Sequence, residues 1–125
     1  MEPLQIAPTH TTPEVTLDAS EGMVTIAGVS DEQDALGFYF PVIQWLDAYQ
    51  HHAAPETTLN IRLKYFNTAS AKALYEIVKR VADVRKEGNK ATVNWYYDQD
   101  DPVLKDDIEH FCDIVTIPIQ LKPSS

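Results

Sequence analysis

Two kinds of hydrophobic spacing alternate along this chain. EVTLD (14–18) and GMVTIAG (22–28) alternate apolar and polar positions, the two-residue period of a half-buried strand. Ala19-Ser20-Glu21-Gly22 between them predicts a hairpin turn, with Val15 and Leu17 facing Val24 and Ile26. SDEQDAL (30–36) predicts a helix start, with Ser30 as N-cap and acidic residues in the first turn. Apolar residues at 38, 39, 42, 43, 45, 46 and 49 continue at helical spacing. Pro41 lies inside that run and predicts a kink or a second start, because its ring removes the hydrogen bond to the Gly37 carbonyl.

TTLNIRLKYF (57–66) returns to strand spacing, with Leu59, Ile61, Leu63 and Tyr65 sharing a face. Ala71, Leu74, Ile77, Val78, Val81 and Val84 then form a helical stripe that Gly88-Asn89 should stop. KATVNWYY (90–97) reads as a strand. Asp100 or Asp101 caps a short helix with Pro102 in its first turn, running to about Phe111 or Cys112. IVTIPIQL (114–121) is the last β run, and its Pro118 suggests an edge strand. The order ββαβαβαβ predicts an α/β fold: a mixed, mostly parallel sheet of about five strands with helices packed on it. The expected organisation is an extended Pro/Thr-rich segment (1–13), one domain (14–121) and a short tail (122–125).

Charge narrows the function classes. The 125 residues carry a formal net charge of −9, which repels nucleic-acid backbones and anionic lipid surfaces. The basic cluster Lys79-Arg80 with Arg85-Lys86 is interrupted by Asp83, so no nucleic-acid partner is expected. No apolar run reaches the roughly 20 residues of a membrane span. The N-terminus lacks a basic-then-apolar signal pattern. One cysteine, Cys112, cannot form an intrachain disulfide, and a cytoplasmic location is the expectation.

Catalytic and metal constellations are not legible. His51-His52 is an adjacent pair, and His110 with Cys112 lies two apart on a helix, so neither converges on a metal. The acidic cluster from Asp98 to Glu109 lacks the glycine and terminal glutamate of a calcium loop. No Gly-x-Ser-x-Gly or glycine-rich phosphate loop occurs, and Thr68 with Lys72 is a nominal nucleophile–lysine spacing at a helix start. The chain is therefore read as no enzyme, without catalytic residues, metal or cofactor.

The junction Asn67-Thr68-Ala69-Ser70 remains. A hydroxyl stands there where a strand hands over to a helix. Asn67 or Thr68 suits the N-cap. A phosphate on the same residue would meet the helix dipole and its free amides, so the fold could carry it, while its charge and bulk would obstruct a docking partner. The two roles are compatible. Tyr65, Tyr96, Tyr97, Phe38 and Tyr39 are candidate aromatic anchors for such a partner.

This junction, in an acidic chain of this element order, resembles the STAS-type anti-sigma-factor antagonists and, more closely, the SiaC family of regulatory phosphoproteins. The resemblance is carried by TPEVTLDASEGMVTIAG (12–28), FYFPVIQWLDAY (38–49), LKYFNTASAKALYEI (63–77) and VNWYYDQDD (93–101). It implies an unphosphorylated protein that binds and activates a diguanylate cyclase, raising cyclic di-GMP and favouring biofilm. It also implies a protein kinase that phosphorylates Thr68 to release the cyclase, and a PP2C-type phosphatase that restores binding. Asn67, Ser70 and Lys72 flank the switch. The chain departs from the family pattern at Ala69, where a second hydroxyl is common, and at Ser30–Asp34. Two other readings stand beside this one: an anti-sigma-factor antagonist using the same threonine, and a small-ligand-binding domain with its site at the strand ends near Thr68 and Tyr96.

Overall fold

The computed structural model describes residues 1–124. Six strands form one sheet in chain order: β1 (Leu4–Ile6), β2 (Glu14–Asp18), β3 (Met23–Ser30), β4 (Glu56–Phe66), β5 (Lys90–Asp98) and β6 (Ile119–Ser124). The first two pairings are antiparallel, and β3 through β6 are parallel. Helices α1 (Ala35–Tyr49), α2 (Thr68–Asp83) and α3 (Pro102–Cys112) make the three crossovers. Each crossover steps the same way across the sheet, so right-handed connections place all three helices on one face. The α/β class expected from the sequence is thus observed, with one more strand and a larger antiparallel share.

The register explains which face the helices cover. Leu17, Val24, Leu59, Val93 and Ile119 form one row across the sheet, and Val15, Ile26, Ile61, Trp95 and Leu121 form the next. These rows supply much of the buried core with the helical stripe Leu74, Ile77, Val78 and Val81. The alternate row, Thr16, Thr25, Asn60, Asn94 and Gln120, is polar and faces away from the helices.

Four local expectations are corrected. Ser30 is the last residue of β3 and is buried, and Asp34 is the α1 N-cap, accepting from the Gly37 amide at 3.1 Å. Helix α1 runs through Pro41 as one element, so Pro41 does not mark a second start. The final strand begins at Ile119, beyond Pro118, so Lys122–Ser124 pair with β5 instead of forming a tail. Within the segment expected to be merely extended, Leu4–Ile6 pair with β2, and the Trp45 indole donates to the Glu2 carbonyl at 3.0 Å.

One glycine has a clear reason. Gly22 ends the β2–β3 turn at φ +66°, and a Cβ there would collide with the Glu56 carbonyl oxygen. A second backbone irregularity matters for the site. The β3–β4 register shifts after Gly28–Leu63, so Val29 pairs with Tyr65 and Lys64 is an extra residue. This bulge re-aims the strand end. Leu63 is buried as expected, but Tyr65 turns outward at 47% exposure and Phe66 turns into the core.

Candidate functional site

The strand–helix junction is built from the end of β3, the bulged end of β4 and the first turn of α2. Asn67 has extended backbone geometry and is the N-cap: its side-chain oxygen accepts from the Ser70 amide at 2.7 Å. Its amide nitrogen reaches the other way, to the Glu32 carbonyl at 3.1 Å and an Asp31 carboxylate oxygen at 3.3 Å. One asparagine therefore closes the helix end and ties the β3–α1 loop to it. Of the two caps the sequence offered, the structure uses Asn67.

Thr68 is the first helical residue and is exposed. Among the described residues no hydrogen bond engages its hydroxyl. The Ser70 amide is taken by Asn67, and the Ala71 amide bonds the Asn67 carbonyl at 3.0 Å. The amides of Thr68 and Ala69 are the ones left at the positive end of α2, beside the free hydroxyl. Lys72, one turn on, is exposed as well.

Ser70 is placed very differently. It is fully buried, and its hydroxyl donates to the Ser30 carbonyl at 2.9 Å. The Ser30 hydroxyl donates to Ser70 Oγ at 2.7 Å. With that proton committed, the Ser30–Tyr39 contact at 2.8 Å requires Tyr39 to donate. A directed chain thus runs from Tyr39 through Ser30 and Ser70 back to the β3 backbone. Burial pushes the Tyr39 hydroxyl up to about 12, against the smaller lowering effect of its bond to Ser30, so it keeps its proton. Sequence spacing could not join these three residues, because the link spans 40 positions between Ser30 and Ser70.

This chain fastens α2 to β3 and α1, which gives a first prediction. Ser30→Ala leaves the buried Tyr39 hydroxyl without its acceptor, and an orphaned buried donor costs about 1–3 kcal/mol. Urea unfolding should show that loss. Adding Tyr39→Phe should recover part of it by removing the orphan; a further full loss would mean the chain is not the source of the effect.

Two shallow surfaces flank Thr68. One lies between α2 and α3, where Tyr65, Asp107, His110 and Ile114 border Thr68. The other lies between α1 and α2, where Leu36, Phe40 and Ile43 meet Ala69 and Lys72. Leu36 and Phe40 are 56% and 53% exposed, large for apolar side chains. The five aromatics proposed as partner anchors divide. Tyr65 is exposed, while Phe38, Tyr96 and Tyr97 are half-buried. Tyr39 is fully buried and is corrected to a core residue. Leu36 and Phe40 were missed because α1 is apolar through 38–40 and 42–43, which hides its outward face.

The remaining candidates have structural roles. His110 Nδ1 lies 2.9 Å from the Asp106 carbonyl, one turn back on α3. Asp101 caps α3 by accepting from the Leu104 amide at 3.0 Å. Burial, with Asp113 and Glu109 adding to it, pushes the Cys112 thiol up, away from the reactive thiolate. No helix among the described residues is long and apolar enough to cross a membrane.

Comparison with known proteins agrees with this geometry. An uncharacterized protein of Pseudomonas aeruginosa (strain UCBPP-PA14) is 25% identical over 122 residues, covering 98% of this chain and 97% of that one. The solved structure of SiaC of Pseudomonas aeruginosa superposes with a TM-score of 0.86 at 25% identity, over 99% of this chain and all of the other. A third match, also at TM-score 0.86, is 24% identical and covers 97% of this chain and 99% of its own; it comes from a crystal structure of the diguanylate cyclase SiaD in complex with its activator SiaC, from the same organism. Residues 6–124 match the SiaC family regulatory phosphoproteins, and the chain belongs to that family.

Proposed function

We propose that this protein is a non-enzymatic binding switch of the cytoplasm. Unphosphorylated at Thr68, it binds and activates a diguanylate cyclase, raising cyclic di-GMP and promoting biofilm; a partner kinase phosphorylates Thr68 to release the cyclase, and a PP2C-type phosphatase restores binding. The observation that carries this reading is the contrast at the junction. Among the described residues Thr68 offers an unengaged, exposed hydroxyl beside two open amides, while Ser70 is sealed in a buried chain. The family is one of regulatory phosphoproteins, and a related SiaC is named as the activator of the cyclase it was solved with.

The partner surface in this reading is the α1–α2 groove next to Thr68. Leu36 and Phe40 supply apolar anchors, and Lys72 a cation that forms no ion pair among the described residues. An amphipathic helix of the cyclase, with apolar residues facing the groove and an acidic residue for Lys72, fits that chemistry.

The test is to titrate the purified protein into the diguanylate cyclase of its host and follow cyclic di-GMP formation. Activation by the unmodified protein is expected. Phe40→Ala should weaken the half-maximal effect by about tenfold or more, as for a buried aromatic anchor. Absence of activation, with capture of an anti-sigma factor instead, would move the protein to the antagonist reading.

A further inference from the structure

A second site lies at the other strand junction, and it shares no lining residue with the two surfaces beside Thr68. Strand β4 pairs with β3 as far as Phe66, and β5 pairs with β6 as far as Asp98. The ladder between β4 and β5, however, ends at Ile61–Trp95. A crevice opens past that point, at the carboxyl ends of these two parallel strands.

Arg62, Lys64, Tyr96 and Tyr97 line the crevice, with Leu63 and Leu104 as apolar wall. The Arg62 guanidinium sits over the Tyr96 ring, 3.7 Å from its centroid, and Lys122 Nζ is 5.9 Å from the same centroid. Arg62, Lys64 and Lys122 are three of only ten Lys and Arg residues in a chain with nineteen carboxylates. Yet none of the three forms an ion pair among the described residues. Exposed cations that no protein carboxylate engages are available to an external anion.

Opposite charge stands at the far rim. Asp98 and Asp101 are occupied, accepting from the backbone amides of Asp100 and Leu104. The Asp100 carboxylate is exposed, and no hydrogen bond engages it among the described residues. The crevice therefore presents cations from the strands, aromatic and guanidinium faces in the middle, and three carboxylates toward α3, of which Asp100's is the one without a hydrogen bond among the described residues. Inorganic phosphate would use the first alone. A nucleoside phosphate would use all three: phosphate oxygens on Arg62 and Lys64, with Lys122 beside the Tyr96 ring at the edge of the crevice, a planar base against the Arg62–Tyr96 stack, and base amino groups toward Asp100.

We propose that this crevice is a nucleotide-binding site, with Arg62 as its central ligand. Calorimetric titration of the full chain at low salt with GTP, ATP and pyrophosphate tests it. A dissociation constant below about 1 mM is expected for at least one of the nucleotides, with pyrophosphate at least about fivefold weaker. Arg62→Ala and, separately, Lys122→Ala should each weaken nucleotide binding about tenfold, with unchanged circular dichroism. Both side chains are at the surface, so folding should survive. No binding by either nucleotide, equal affinity for pyrophosphate, or unaltered affinity in both variants would overturn the assignment.

Discussion

Phosphorylation of Thr68 is expected to lower affinity for the cyclase roughly a hundredfold or more, about 3 kcal/mol. The modification adds a charge of about −1.5 to −2 at neutral pH. It does so beside a loop already carrying Asp31, Glu32 and Asp34, which Asn67 holds against the junction. Within the protein the phosphate is well accommodated, because the open amides of α2 and the helix dipole favour an anion there. The domain should therefore stay folded, and its unfolding midpoint should change little. A partner docked over Ala69 and Lys72 would instead have to bury that charge or lose contact. Thr68→Ala should be inert to the kinase while binding the cyclase as the unmodified protein does, since no hydrogen bond engages its hydroxyl among the described residues. Thr68→Glu should weaken binding by less than the phosphate, with half the charge. Surface plasmon resonance of the four forms measures this directly. Phosphate found on Ser70 would defeat the assignment, because reaching that hydroxyl requires opening the Tyr39–Ser30–Ser70 chain.

The difference between those two hydroxyls shows where sequence reading succeeds and where it stops. A cap at Asn67 or Thr68 was legible because capping is local, and the structure uses Asn67, whose acceptor and amide are three residues apart. A cap at Asp100 or Asp101 before Pro102 was legible for the same reason, and the structure uses Asp101. The α2 stripe and the alternation of β2 and β4 were legible because burial on one face imposes a period on the chain. Ser30 looked like a cap because Ser followed by acidic residues is a common helix start. It is a buried strand end because Ser70 and Tyr39 satisfy its hydroxyl from far away in sequence. Tyr65 followed the alternation until the bulge at Lys64 reversed it, and a bulge has no period to read. The β6 boundary slipped because Ile117 is buried from a loop, extending the apolar run beyond the strand itself. Strand β1, at three residues, is too short to carry a pattern.

Replacing Trp95 with alanine is expected to destabilise the domain by about 3–5 kcal/mol, as for other large-to-small aromatic changes in cores. Trp95 is fully buried in the middle of β5. Its ring lies 5.3 Å from that of Phe66 and 5.0 Å, edge-on, from that of Phe111. It therefore joins the bulged end of β4, just before Asn67 and Thr68, to α3 across the core. A domain stability of about 5–15 kcal/mol leaves little margin for such a loss. Trp95→Phe should behave otherwise. Among the described residues the Trp95 indole nitrogen is buried without a hydrogen-bond partner, a burden of about 1–3 kcal/mol that phenylalanine removes. That gain offsets much of the lost ring volume, so the net change should stay within about 1.5 kcal/mol. Guanidinium unfolding of both variants separates the two terms. If Trp95→Phe costs nearly as much as Trp95→Ala, the indole nitrogen is not an orphan and packing shape alone governs the site. If it costs little, Trp95 holds Phe66 and Phe111 chiefly by aromatic contact, which phenylalanine largely preserves.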